Sequence, residues 1–132
     1  MGQPAAKQGD KVMAVDTHIL LVPSPGGPVP TPIPHPFSGT LTGSLSQTVK
    51  IQGKAAAVVG STATNSPPHI PNNPAAPFQK PPANKGTVQV GSFTVKINGK
   101  PAARHGDTVM TCNDPADQPV GKIIAMGTVM IG

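Results

Sequence analysis

The sequence predicts a mostly β, compact fold made of three related β-hairpin units around a pseudo-threefold axis, joined by Pro-rich loops. Three observations carry that expectation. One unit occurs twice, its two halves stand at opposite ends of the chain, and the composition leaves little material for a thick core. Residues 47–61 read QTVKIQGKAAAVVGS and residues 93–107 read FTVKINGKPAARHGD. The chain opens on Pro4-Ala5-Ala6-Lys7-Gln8-Gly9-Asp10, the second half of that unit, and closes on Gly127-Thr128-Val129-Met130-Ile131-Gly132, the first half. Joining tail to head regenerates a third copy, the signature of an internally repeated fold.

Within each copy the first strand alternates: Val49 and Ile51 face one side, Thr48 and Lys50 the other, the period of a half-buried strand. Val95/Ile97 and Val129/Ile131 repeat the pattern. Gln52-Gly53 and Asn98-Gly99 then read as two-residue hairpin turns, which need positive φ at both positions. The Ala-Ala pair returns along the neighbouring strand, its small side chains allowing three strands to converge on an axis. Gly9, Gly60 and Gly106 mark a second turn. Asp10 and Asp107 occupy equivalent turn positions, which argues for a structural hydrogen-bonding role. The connectors, VPSPGGPVPTPIPHPFS at 22–38 and SPPHIPNNPAAPFQKPP at 66–82, are expected to be ordered loops wrapped on the hairpins, because each carries one His and one Phe.

The composition fits this picture. Of 132 residues, 18 are Pro and 15 Gly, with no Trp or Tyr and three Phe, so a thin core needs a staple. The single Cys112 excludes an internal disulfide and leaves a buried thiol, a reactive thiol or a metal ligand. No apolar run approaches the ~20 residues of a membrane helix, and the N-terminus lacks the regions of a signal peptide; synthesis in a cytoplasm is expected. The net charge of +5 comes from dispersed cations without interleaved aromatics, a poor nucleic-acid surface.

His18 lies eight residues after Asp10, His69 eight after Ser61 and Cys112 five after Asp107, so three candidate ligands follow three equivalent units. His35, in Pro34-His35-Pro36, supplies a fourth. Three imidazoles and a thiolate make a filled tetrahedral site suited to one structural zinc. Each also has a plainer reading: His35 and His69 as exposed loop residues, His18 as a packing residue. His105 has no counterpart in the other copies and is left out. The only acids are five Asp, and no His-Glu-x-x-His, Ser/His/Asp or phosphate-loop motif is present, so an enzyme is not expected.

The string Lys100-Pro101-Ala102-Ala103-Arg104-His105-Gly106-Asp107, with Ile97-Asn98-Gly99 before it and the degenerate copies at Pro4–Asp10 and Ala55–Ser61, resembles the PAAR and PAAR-like family. That resemblance implies a conical tip capping the trimeric spike of type VI secretion systems and related extracellular phage-tail-like particles. It also implies a zinc near the apex, here on His18, His35, His69 and Cys112. A single domain over residues 1–132, without a fused effector, is expected. The chain is expected to be a monomer on its own, to bind one spike trimer, to carry cargo, and to touch the target membrane only in passing. The competing readings are a zinc-dependent effector on the same fold and a free zinc-binding module. Ala55-Ala56-Ala57-Val58 and Pro4-Ala5-Ala6-Lys7 depart from the family string in lacking its Arg.

Overall fold

The computed structural model describes residues 2–71 and 76–132. The strands are β1 (Gln3–Pro4), β2 (Lys11–Val22), β3 (Val29–Gly43), β4 (Lys50–Ile51), β5 (Lys54–Ala55), β6 (Thr62–Asn65), β7 (Lys85–Val88), β8 (Lys96–Ile97), β9 (Lys100–Pro101), β10 (Thr108–Thr111), β11 (Gln118–Ile124) and β12 (Met130–Ile131). They form two tiers. Three short hairpins, β4–β5, β8–β9 and the pair β1–β12, make one; a closed barrel in the order β10-β11-β2-β3-β6-β7 makes the other. Among the described residues no helix is long and apolar enough to cross a membrane.

The third hairpin is assembled from the two ends of the chain: Gln3 pairs with Ile131 and Pro4 with Met130. In the other two, positive φ at Gln52 and Gly53 (51° and 82°) and at Asn98 and Gly99 (54° and 80°) gives the turns the sequence called for. The returning segments then interlock. Ala6 N–H donates to Ala103 O, Ala57 N–H to Ala6 O and Ala103 N–H to Ala57 O, each at 3.0 Å, a ring of three bonds about the axis. A second ring runs from Gln8 to Ala55, Val59 to Pro101 and His105 to Pro4. All three axial alanines are fully buried; a longer side chain there would meet its two counterparts. Ile51, Ile97 and Ile131 fill the space beneath with Ala5, Ala56, Ala102 and Val58.

Each copy enters the barrel through the same turn. Asp10 Oδ2 accepts from Lys7 N–H (2.9 Å), Ser61 Oγ from Val58 N–H (3.0 Å) and Asp107 Oδ2 from Arg104 N–H (2.8 Å). Gly9, Gly60 and Gly106, all at positive φ, donate to Leu41, Val88 and Ile123 of the barrel. Val12, Leu41, Ala63, Val88, Val109, Ile123 and Phe37 form its core. Gly39, Gly86 and Gly121 sit two residues before Leu41, Val88 and Ile123; a Cβ there would come within 2.6 Å of Phe37, 3.0 Å of Val109 and 2.9 Å of Thr111. The interior at that level is filled by neighbours of glycine, not by its own side chain.

The first Pro-rich connector is not a loop. Residues 29–43 are β3, paired with β2 over twelve residues. Pro30, Pro32, Pro34 and Pro36 all fall at alternate positions, opposite Leu21, Ile19, Thr17 and Val15. At alternate positions of an antiparallel pair the N–H points away from the partner, so the missing donors remove no rung. The same register turns the N–H groups of Thr17, Ile19 and Leu21 away from β3. They donate instead to Asn113 Oδ1 (2.7 Å), Asp114 Oδ2 (2.9 Å) and Pro77 O (2.8 Å). The second connector does remain a loop in its described part, held against β2 by Phe78, which bridges to Leu20, and by Gln79 N–H on Ile19 O; its residues 72–75 lie outside the described residues.

Candidate metal centre

β2 and β3 run on past the barrel layer, and their alternation sets what faces inward. On β2, Val12, Asp16, His18 and Leu20 are buried; on β3, His35, Phe37, Gly39 and Leu41 are. The prolines occupy the outer face of β3. His35 stands opposite Asp16 in register. His69 follows β6 and Cys112 follows β10, so four segments deliver side chains to one place. His18 lies seven residues beyond Lys11, about 23 Å along the strand at ~3.3 Å per residue from the short-hairpin tier.

His18, His35 and Cys112 are 1%, 2% and 3% exposed, and His69 is 9% exposed. One ligand atom from each of Asp16, His18, His69 and Cys112 lies within 4.8 Å of the others. His35 adjoins this group: its ring centroid is 5.5 Å from that of His18 and 5.6 Å from that of His69. Cys112 Sγ is 3.8 Å from His18 Nε2, close to the ~3.5 Å that Zn–N ~2.0 Å and Zn–S ~2.3 Å set across a tetrahedron. His35 Nδ1 donates to Ile33 O at 2.9 Å, which fixes the tautomer and leaves Nε2 a bare lone pair. That Nε2 is buried without a hydrogen-bond partner, as is His18 Nδ1, which faces Asp114 Oδ2 at 3.6 Å. Buried orphan nitrogens are uncommon in a finished protein interior. The His18 orphan is turned to Asp114 and leaves Nε2 beside the thiol, so the unpartnered Nε2 of His35 is the one that fits a bound cation.

The electrostatics point the same way. Burial, and then Asp16, pushes the Cys112 thiol up to about 11, so it holds its proton unless a cation replaces it. Burial lowers the His18 pKa, with His69 adding to the effect, so His18 is a neutral donor at neutral pH. Phe78 closes the group from one side, 5.6 Å from the His18 ring and 5.4 Å from that of His35. A cavity of about 280 Å³ lined by His35, His69, Asn65, Pro67 and Ile70 adjoins it.

Asp16 was not singled out from sequence as part of this group. It is fully buried, and its carboxylate accepts from His69 Nε2 (2.9 Å), Cys112 Sγ (3.4 Å), Thr111 Oγ1 and Asn113 Nδ2. The one signal was its position two before His18, which in a strand means the same face. His105 lies elsewhere: its Nδ1 accepts from Ala125 N–H at 3.1 Å, in the seam between the tiers.

No curated protein matches the chain. A family model described as PAAR motif does, over residues 21–115 and again over 78–132. The second match contains the copy at 93–107; the unit split between the chain ends falls partly outside both, as a linear pattern must leave it. With residues 21–132 covered by the two matches together, and with the hairpin carrying Pro101–Arg104 seated in a three-part ring, the chain belongs to the PAAR-motif family, whose members serve at the spike tips of contractile injection systems.

Proposed function

We propose that this protein is a non-enzymatic tip that caps one trimeric spike, its far end stapled by one zinc on His18, His35, His69 and Cys112. The observation that carries the metal reading is the buried, unpartnered Nε2 of His35 on a ring 5.5 Å from that of His18 and 5.6 Å from that of His69, beside a group that already brings a thiol and two imidazoles together. Three nitrogens and one sulfur suit zinc in a closed structural site. Asp16 then serves as an outer partner. It accepts from His69 Nε2, Thr111 Oγ1 and Asn113 Nδ2 and so orients the His69 ring, in the way carboxylates commonly back metal-ligating imidazoles, while its contact with Cys112 Sγ belongs to the protonated thiol and is given up when zinc replaces that proton. Fully buried and so engaged, it is poorly placed as a solvent-facing general base, which favours the structural reading over a zinc-dependent effector.

The spike reading rests on the pseudo-threefold tier. One chain meets a trimer symmetrically only if it presents three similar faces, and the short hairpins are such faces. Cargo attachment and passage through a target membrane follow from tip position in this reading. The test has two parts. Metal analysis of the purified protein is expected to give about one zinc per chain, and mass measurement of the complex one copy per spike trimer. A folded protein without metal, or three copies per trimer, would contradict it.

A further inference from the structure

The three junctions between short hairpins are built alike except in one respect. In each, a residue at the end of one hairpin meets the segment leading into another. Gln52 Nε2 donates to Thr128 Oγ1 (3.2 Å), Asn98 Nδ2 to Thr48 Oγ1 (2.8 Å), and Gly132 O accepts from Ser92 Oγ. Two junctions are filled by a long cation from the family string. Lys7 pairs with Asp10 at 3.3 Å and donates to Met126 O at 2.7 Å; Arg104 pairs with Asp107 at 3.0 Å and donates to Gly132 O at 3.0 Å. In the third, the equivalent residues are Val58 and Ser61. Cation and acid are both replaced, and the space they would fill is a cavity of about 320 Å³ lined by Leu45, Ser46, Thr48, Val58, Asn98 and Lys100.

We propose that this junction holds a carboxylate side chain from a partner protein that docks once per tip. Its floor is apolar, Leu45 and Val58, and suits the methylenes of a Glu stem, as the other two junctions hold the stems of Lys7 and Arg104. Its rim carries hydroxyls and an amide. Lys100 is the one charged lining residue, exposed, and among the described residues no hydrogen bond or ion pair engages its ammonium group. A cation would meet Lys100 with no acid to offset it, because Ser61 stands where Asp10 and Asp107 stand; a carboxylate meets its complement. Because only one of the three junctions is open in this way, the pocket gives a threefold object a single orientation mark. None of the metal-centre residues lines it, so its occupancy is independent of zinc.

The test uses the full chain and two capped tripeptides, acetyl-Gly-Glu-Gly-amide and acetyl-Gly-Gln-Gly-amide, followed by amide chemical shifts. The Glu peptide is expected to give saturable shifts at Thr48, Val58 and Lys100, with the Gln peptide at least five-fold weaker. Val58→Arg with Ser61→Asp, which rebuilds the pair found at Arg104 and Asp107, is expected to abolish the shifts while leaving zinc content unchanged. Lys100→Gln, a surface change, is expected to weaken the Glu peptide to the level of the Gln peptide. Equal response to the two peptides, no saturable shift at those residues, or unchanged binding in Lys100→Gln would overturn the proposal.

Discussion

The two ends of this molecule hold their shape by different means. The short-hairpin tier repeats itself: three bonds between axial alanines, three more around them, three turns capped by Asp10, Ser61 and Asp107, and three glycine contacts into the barrel. Backbone groups carry almost all of it, which is why Lys, Val and Arg can stand at equivalent positions. The far end has no such repetition. β2 and β3 reach it as a long ribbon, β6 and β10 stop after four residues, and the histidines and Cys112 are held by one-off contacts to Asp16, Ile33 and Asn84. Symmetry can be enforced by many weak, equivalent bonds; an asymmetric end needs a strong centre.

The sharpest way to break the comparison is to remove that centre. Cys112→Ser is expected to lose the metal and cost more stability than any other single change considered, above about 4 kcal/mol. Calorimetry should show the same midpoint for the variant and the chelated wild type. His35→Ala is expected to follow it; retained zinc in that variant would move the fourth ligand to Asp16.

Next in size is damage to the axis. Ala57→Leu places three extra carbons where Ala6 and Ala103 already touch, and is expected to cost ~1–3 kcal/mol by overpacking without changing zinc content. If zinc falls in step with stability, the two ends are not separable.

Acid should act on the histidine-rich end. The His18 pKa is lowered in the folded chain, so the unfolded chain takes up the proton first and stability falls as pH drops below the free-imidazole value of ~6.5. For Cys112 the sign reverses: the unfolded thiol ionises first, so metal-free protein also loses stability as pH rises from 9.0 towards about 11. Chelated protein should therefore be most stable between those limits. Zinc-loaded protein should show a broader plateau on the alkaline side, where the metal keeps a thiolate. Urea titrations across pH, with and without chelator, measure this.

The smallest effect is expected at His105→Ala, which removes one acceptor from Ala125 N–H in a half-buried seam: below about 1 kcal/mol, and no change in metal.

How far the sequence could be read follows the same division. The repeated tier was legible down to its turns because each copy answers the same backbone demand, so Gly53 and Gly99, or Ala6, Ala57 and Ala103, announce one another. The long ribbon was not. Pro30, Pro32, Pro34 and Pro36 read as an extended loop, since nothing local says that alternate prolines have turned their missing donors to the outside of a ladder. The cluster was legible as residue types after equivalent units. Asp16 escaped because its role depends on Cys112, His69 and Thr111 arriving from distant segments.

The pairing of Gln3 with Ile131 sets an order of events during synthesis. Residues at the start of the chain leave the ribosome long before their partners are made, and Ala6 is bonded to Ala103 and Ala57 rather than to anything nearby. The ring cannot close on a partial chain, and contacts of such sequence separation form slowly. Until Ala103 is made the axial ring lacks a member, and until Ile131 is made the first strand has no mate. A chain that stops short of Met130 leaves Gln3 and Pro4 without their partner strand, and one face of the three is then missing.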